Sequence, residues 1–329
     1  MMTEERYSAV RSVTAVDLTD HDAKVEVRIL PGLGNRASVM KVVGQNILWF
    51  PTDEGAPAAS KAALNGIPFL APWGNRLNGG FYVNGRWHPL GVADIAGTDL
   101  RRDANGLPIH GLLIDSHYWE VVELVSDADC AAVTSRLDFG AHPELLAVWP
   151  YRHVYDMTYR LAEGTLEVTT VIRNTGTEPM PVSIGFHPYF VLPGISRDEV
   201  SVRLPAKSHV EADDHLLATG ALASSGLPEW VPLSSHVLDD GFTDLIRQSD
   251  GKARFSLAGG GRCIDIDFGP RYTVAIVYAP PGKDFVCVEP MTAITNGINL
   301  AVEGKYDGLQ MVEPGAEWRE SFWISTQGF

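Results

Sequence analysis

The sequence predicts an all-β protein of the sandwich or barrel class. Short runs rich in Val, Ile, Thr and aromatic residues alternate apolar and polar positions with a period of two. Between them, 32 glycines and 21 prolines are scattered through 329 residues and supply turn signals. Helical periodicity is scarce by comparison. In chain order, the strand-like runs are Val25–Leu30 and residues 131–137, 165–172, 200–204, 263–268, 273–278 and 318–324. The run at 165–172 (TLEVTTVI) shows the pattern plainly, because Leu166, Val168, Thr170 and Ile172 must point one way. Residues 51–64, 91–108 and 209–235 read as loops, the last with few strand signals. Composition does not shift across them, so residues 1–329 are expected to form one domain. Long loops on a rigid β scaffold are where binding sites tend to sit.

Hydrophobic residues make up 45% of the chain and charged residues 20%, enough for a sizeable core and too apolar for disorder. A net charge of −15 argues against nucleic acid or an anionic membrane surface as partner, since both need basic patches. A neutral small molecule fits that balance best. Cys130, Cys263 and Cys287 are odd in number and far apart, which speaks against a disulfide framework or a cysteine zinc site. The first residues, MMTEERYSAV, lack the apolar core of a signal peptide, and no apolar run approaches the roughly 18 residues of a membrane helix. The expected location is therefore the cytoplasm.

Four segments place proton-transferring or hydrogen-bonding side chains in glycine-rich or apolar surroundings. In Ala71-Pro72-Trp73-Gly74-Asn75-Arg76-Leu77, an Arg beside an Asn in a turn can present a fork of donors to hydroxyl oxygens. In Leu107-Pro108-Ile109-His110-Gly111, the glycine leaves the imidazole room on one side. The third runs from Asn174 to Phe190 and ends Val182-Ser183-Ile184-Gly185-Phe186-His187-Pro188-Tyr189-Phe190. Pro188 biases His187 toward extended backbone, so Gly185, His187 and Tyr189 share one face and Phe186 and Pro188 the other. The fourth, Asp284-Phe285-Val286-Cys287-Val288-Glu289-Pro290-Met291, ends an apolar strand in a carboxylate. Taken singly, each segment also fits an ordinary surface arginine, a satisfied histidine or a strand exit into solvent.

Together, in this order, the four segments resemble the aldose 1-epimerase (galactose mutarotase) family over roughly residues 70 to 300. The stretch from Asn174 to Phe190 is the most specific piece. The resemblance implies a single large antiparallel β-sandwich of the galactose mutarotase type, with a sugar-binding groove on one sheet. It also implies Glu289 as catalytic base, His187 as catalytic acid, and His110, Arg76 and Asn75 as sugar-binding residues. The segment Leu238-Asp239-Asp240-Gly241-Phe242 resembles the family's hydroxyl-binding carboxylate, with Asp239 the choice and Asp240 the alternative. Two departures lie near the expected groove and bear on substrate identity: Leu112 replaces a second glycine after His-Gly, and Ala71-Pro72-Trp73-Gly74 replaces a basic, glycine-led run.

Anomer exchange removes a proton from the anomeric hydroxyl, delivers one to the ring oxygen, and recloses the opened ring on the other carbonyl face. It calls for one acid and one base, expected on opposite sides of the hemiacetal, and for no metal, nucleotide or redox cofactor. A carboxylate is ionised at neutral pH unless strongly desolvated, and an ionised Glu289 nearby would raise the His187 pKa. Three other readings remain at this point. A hexose 6-phosphate epimerase would need a basic cluster. A non-catalytic carbohydrate-binding protein could use Trp73, Trp149, Tyr189 and Phe242 as platforms. A metal enzyme would draw on His110, His117, His187 and a carboxylate.

Overall fold

The computed structural model describes residues 6–50, 64–83, 85–91 and 100–329. Two large antiparallel sheets form a sandwich. One has nine strands in the order Trp230–Pro232, Ser201–Arg203, Ala253–Gly259, Arg262–Phe268, Glu317–Gln327, Thr165–Asn174, His153–Ala162, Ala131–Asp138 and Glu120–Ser126. The other runs Ala218–Ser224, Ala206–Ala212, Leu238–Leu245, Val274–Ala279, Val286–Met291, Gly185–Phe186 and Phe69–Leu70, with Tyr189–Phe190 also pairing onto Val286–Met291. A five-stranded antiparallel sheet spans Tyr7 to Asn46. All-β architecture and antiparallel pairing agree with the sequence expectation.

The alternation seen in the sequence is what builds the core. Leu166, Val168, Thr170 and Ile172 are fully buried on one face of Thr165–Asn174. Across the sandwich, the Phe186 ring of the eight-stranded sheet lies 4.9 Å from Phe322 of the nine-stranded sheet, and Phe69 meets Tyr155 edge-on at 5.3 Å. One apolar cluster runs continuously through these contacts from Tyr7 to Ile324. Buried aromatic pairs of this kind stabilise by ~0.5–1.5 kcal/mol each beyond their area.

The expected loop at 209–235 is wrong: it contains most of the hairpin Ala206–Ala212/Ala218–Ser224 and the strand Trp230–Pro232. Ala218–Ser224 (ATGALAS) forms the edge of its sheet and is exposed along most of its length. Such a strand needs no strong apolar alternation, so the period-two signal is weak there. Two of the other expected loops fall partly outside the described residues, at 51–63 and 92–99. No helix among the described residues is long and apolar enough to cross a membrane.

Candidate active site

The eight-stranded sheet arranges its side chains in transverse rows. Glu289 pairs with Ile276, Ile276 with Gly241, and Gly241 with Val210. Two residues along each strand, Tyr189, Cys287, Tyr278 and Asp239 form the neighbouring row. Cross-strand partners share a face, as do residues two apart on one strand, so both rows face the same way. His187 joins them from the link between Gly185–Phe186 and Tyr189–Phe190, where its backbone N–H donates to the carbonyl of Pro68 at 3.1 Å. Phe186 turns into the core while the His187 ring stacks on Tyr189 at 4.6 Å and 7°. The alternation expected at 185–189 therefore holds.

The opposite wall comes from two crossing loop segments. Arg76 and Ile109 form an antiparallel bridge, and the His110 N–H donates to the Asn75 carbonyl at 2.9 Å. Asn75 and His110 both adopt left-handed backbone, φ 55° and 64°, which a side chain accepts at a cost that surrounding contacts must offset. Gly111 follows at φ 67°, with Ala71 so close that a Cβ would stand 2.1 Å from its carbonyl oxygen. Only glycine permits that approach. Its neighbour Leu112 turns into the main core cluster, as does Trp73, which is fully buried against Trp149. The two departures from the family pattern thus lie beneath the groove and do not line it.

The groove between these walls encloses about 590 Å³, its open mouth included, and is lined by Asn75, Arg76, His110, His187, Asp239 and Glu289 together with Leu64, Ile109, Tyr189, Ile276 and Tyr278. All six expected site residues converge. Asp240 does not join them, because its carboxylate accepts from His209 Nε2 at 2.8 Å. Trp73, Trp149 and Phe242 are fully buried, so of the four aromatics weighed as platforms Tyr189 alone lines the groove. His117 packs against Tyr118 and does not line the groove. Among the described residues, no three His, Cys, Asp or Glu side chains come together as metal ligands would.

His187 Nε2 lies 3.1 Å from Glu289 Oε1, and Glu289 is 1% exposed. Burial dominates the electrostatics. It raises the Glu289 carboxyl well above its ordinary range, helped by Asp239 and opposed by Arg76. The same burial lowers His187 to about 3, and it drives His110 well below its usual value, with the charges of His187 and Arg76 adding to it. The expectation that an ionised Glu289 would hold a proton on His187 is therefore corrected. Desolvation favours the neutral pair, with the Glu289 hydroxyl donating to Nε2. Arg76 is held by Asp103, Nε to Oδ2 at 2.7 Å, and by Asn75 Oδ1 at 3.0 Å. Burial alone would raise Asp103, but Arg76 and the N–H groups of Leu107 and Asn105 outweigh it and keep the carboxyl below its normal value. At Asp239 burial wins, against Arg76, and the carboxyl is raised.

The family model of aldose 1-epimerases matches residues 39–325. The chain belongs to the aldose 1-epimerase family. Among solved structures, a galactose mutarotase-like protein from Clostridium acetobutylicum superposes with a TM-score of 0.82 at 19% identity, covering 98% of each chain. The Slr1438 protein of Synechocystis sp. PCC 6803 gives 0.75 at 24% identity over 99% of each chain. The galactose 1-epimerase of Lactobacillus acidophilus NCFM gives 0.75 at 15% identity over 98% of this chain and 99% of its own. At these identities the likeness shows the galactose mutarotase fold. The uncharacterized protein YihR of Escherichia coli K12 is 27% identical over 148 residues, 44% of this chain and 42% of that one, so the aligned region spans less than half the length of that relative.

Four groove contributors escaped the sequence reading: Asp103, Tyr278, Ile276 and Leu64, the last named only as the end of a loop. Asp103 anchors Arg76, and its Asp-Ala-Asn-Gly turn is a recognisable signal, since its Oδ1 accepts from the N–H groups of Asn105 and Leu107 at 2.9 Å each. Tyr278 and Ile276 sit on an anticipated strand, but their membership of the groove depends on register against Val286–Met291.

Proposed function

We propose that the protein interconverts the α and β anomers of a free aldose by acid/base ring opening and reclosure. The observation that carries this reading is the 3.1 Å approach of His187 Nε2 to Glu289 Oε1 on the floor of a groove walled by Arg76, His110 and Asp239. Both oxygens that exchange protons, the anomeric hydroxyl and the ring oxygen, are bonded to the same carbon. A side-by-side acid and base can therefore serve them from one direction, and placement on opposite sides is unnecessary.

The pair holds one proton, which is what the reaction needs. Sugar hydroxyls entering the groove and the Arg76 charge favour the ionic arrangement, Glu289 carboxylate with His187 imidazolium. Glu289 takes the anomeric proton, the O–H electrons become the carbonyl π bond, and the C1–O5 pair leaves to O5, which His187 protonates. This step returns the pair to its neutral form. After rotation about C1–C2, O5 attacks the other carbonyl face while the two protons travel back. Each positioned group contributes ~10²- to 10⁴-fold. Arg76 and a neutral His110 would donate to oxyanion character on the sugar.

Arg76 is the one guanidinium lining the groove among the described residues, and it is matched by Asp103 while Asp239 and Glu289 stand beside it. This balance suits a neutral sugar better than a hexose 6-phosphate, whose dianion wants unmatched cations. The test dissolves crystalline α-glucose and α-galactose separately and follows optical rotation with wild type and Glu289→Gln. Acceleration by wild type alone supports the proposal. Equal rates with both proteins remove Glu289 from its role.

A further inference from the structure

Past Asp239 the groove does not end. A second recess of about 420 Å³, mouth included, shares Asn75, Arg76, Asp239 and Ile276 with it and is otherwise walled by Thr295 and by aliphatic groups, chiefly Val210, Leu216, Ala218 and Ile294. The transverse row explains its position. From Glu289 the row passes through Ile276 and Gly241 to Val210, and Gly241 lowers the floor there, since even a Cβ would stand 3.3 Å from Ile276 Cδ1 and 3.4 Å from Val210 Cβ. Gly241 is two strand spacings from Glu289, ~9.6 Å. That is about the reach of a pyranose ring plus its exocyclic substituent.

Leu216 points to use of this recess independently. It sits at the tip of the hairpin between Ala206–Ala212 and Ala218–Ser224, in a turn closed by the Asp213 N–H to the Leu217 carbonyl at 2.9 Å. Its φ is 60°, at the left-handed position of such a turn where glycine or asparagine is cheaper. An apolar side chain is thus kept, against backbone preference, on the rim of the aliphatic recess. Apart from Thr295, its walls add no polar side chain to those already facing the sugar, so a hydroxyl reaching the aliphatic part of the shelf would be desolvated without compensation.

Building on the proposed mutarotase reading, we propose that this shelf receives an apolar substituent of the sugar, the methyl group of a 6-deoxyaldohexose. Affinity by calorimetry and kcat/KM by polarimetry would be compared for 6-deoxygalactose against galactose and 6-deoxyglucose against glucose. Wild type is expected to favour each 6-deoxy sugar by about fivefold to tenfold. Gly241→Val fills the shelf and Leu216→Asn removes its rim while keeping a residue suited to left-handed backbone, and each should bring the ratio within about twofold of one. Leu216 is 38% exposed, so that variant stands as the test even if Gly241→Val does not fold. A 6-deoxy preference in affinity, lost in the variants but without turnover of any sugar, keeps the shelf and removes the mutarotase reading. A wild-type ratio near one, a ratio unchanged in Leu216→Asn, no measurable binding of any of these sugars, or a stronger response to lactose than to the 6-deoxy sugars overturns the shelf.

Discussion

His187 Nε2 and Glu289 Oε1 stand 3.1 Å apart, while the second polar atom of each, His187 Nδ1 and Glu289 Oε2, is buried with no hydrogen-bond partner among the described residues. A pair left with two unsatisfied buried atoms is held for something other than stability.

Glu289→Gln should lower kcat by about 10²- to 10⁴-fold while sugar affinity stays within a few-fold of wild type. Polarimetry and calorimetry on the same preparation measure the two quantities. Loss of affinity equal to the loss of rate would mark Glu289 as a binding group only.

The same variant should be the more heat-stable protein at neutral pH. A carboxyl raised in the folded state contributes stability below its unfolded value of 4.5, and loses it as pH rises toward the raised value. Glutamine does not titrate. The Tm difference, variant minus wild type, is therefore expected to grow from pH 4 to pH 8 in differential scanning calorimetry. A difference that shrinks over that range contradicts the buried neutral carboxyl.

For the reaction, the one-proton state of the pair extends from His187's lowered value of about 3 up to the raised value of Glu289. The profile of kcat/KM against pH should consequently lack an inflection near the ordinary histidine value of 6.5. An acid limb centred there would show that the pair takes up its second proton at the ordinary histidine value, against the lowering of His187 by burial.

Acid should unfold the protein through buried neutral histidines. His153 is fully buried, stacks on Phe139 at 4.4 Å, and is lowered from 6.5 to about 4 by burial, opposed by its bond to the Tyr151 carbonyl. With a depressed value, its contribution is present above 6.5 and lost as pH falls toward 4, up to about 3 kcal/mol. His153→Phe should flatten the slope of stability against pH across that window, read from urea midpoints. An unchanged slope would exclude His153 from the effect.

Gly111→Ala places a Cβ 2.1 Å from the Ala71 carbonyl oxygen at a positive φ. Expected are a loss of several kcal/mol of stability, on the order of the larger single-residue effects, and a rise in KM from displacement of His110. A variant with wild-type Tm and KM would show that the crossing of these two segments is loose.

The sequence by itself determined the all-β class, because period-two runs between turn residues can bury an apolar face only as strands. It also marked Asn75, Arg76, His110, His187 and Glu289, since their residue types and local neighbours are written in the chain, whereas Asp239 entered through the family resemblance with Asp240 as the alternative. Local pattern could not supply cross-strand register. Register is what sets Glu289 beside Ile276 and Gly241, puts Asp239 in the groove while His209 draws Asp240 away, and brings Tyr278 into the site. The edge hairpin at 206–224 was invisible for the same reason: its pairing comes from Leu238–Leu245 and not from its own pattern. The protonation state was likewise decided by the tertiary structure. The charge a histidine and a glutamate carry depends on how much water remains around them, and burial in the assembled groove overrides the mutual attraction that proximity alone suggests.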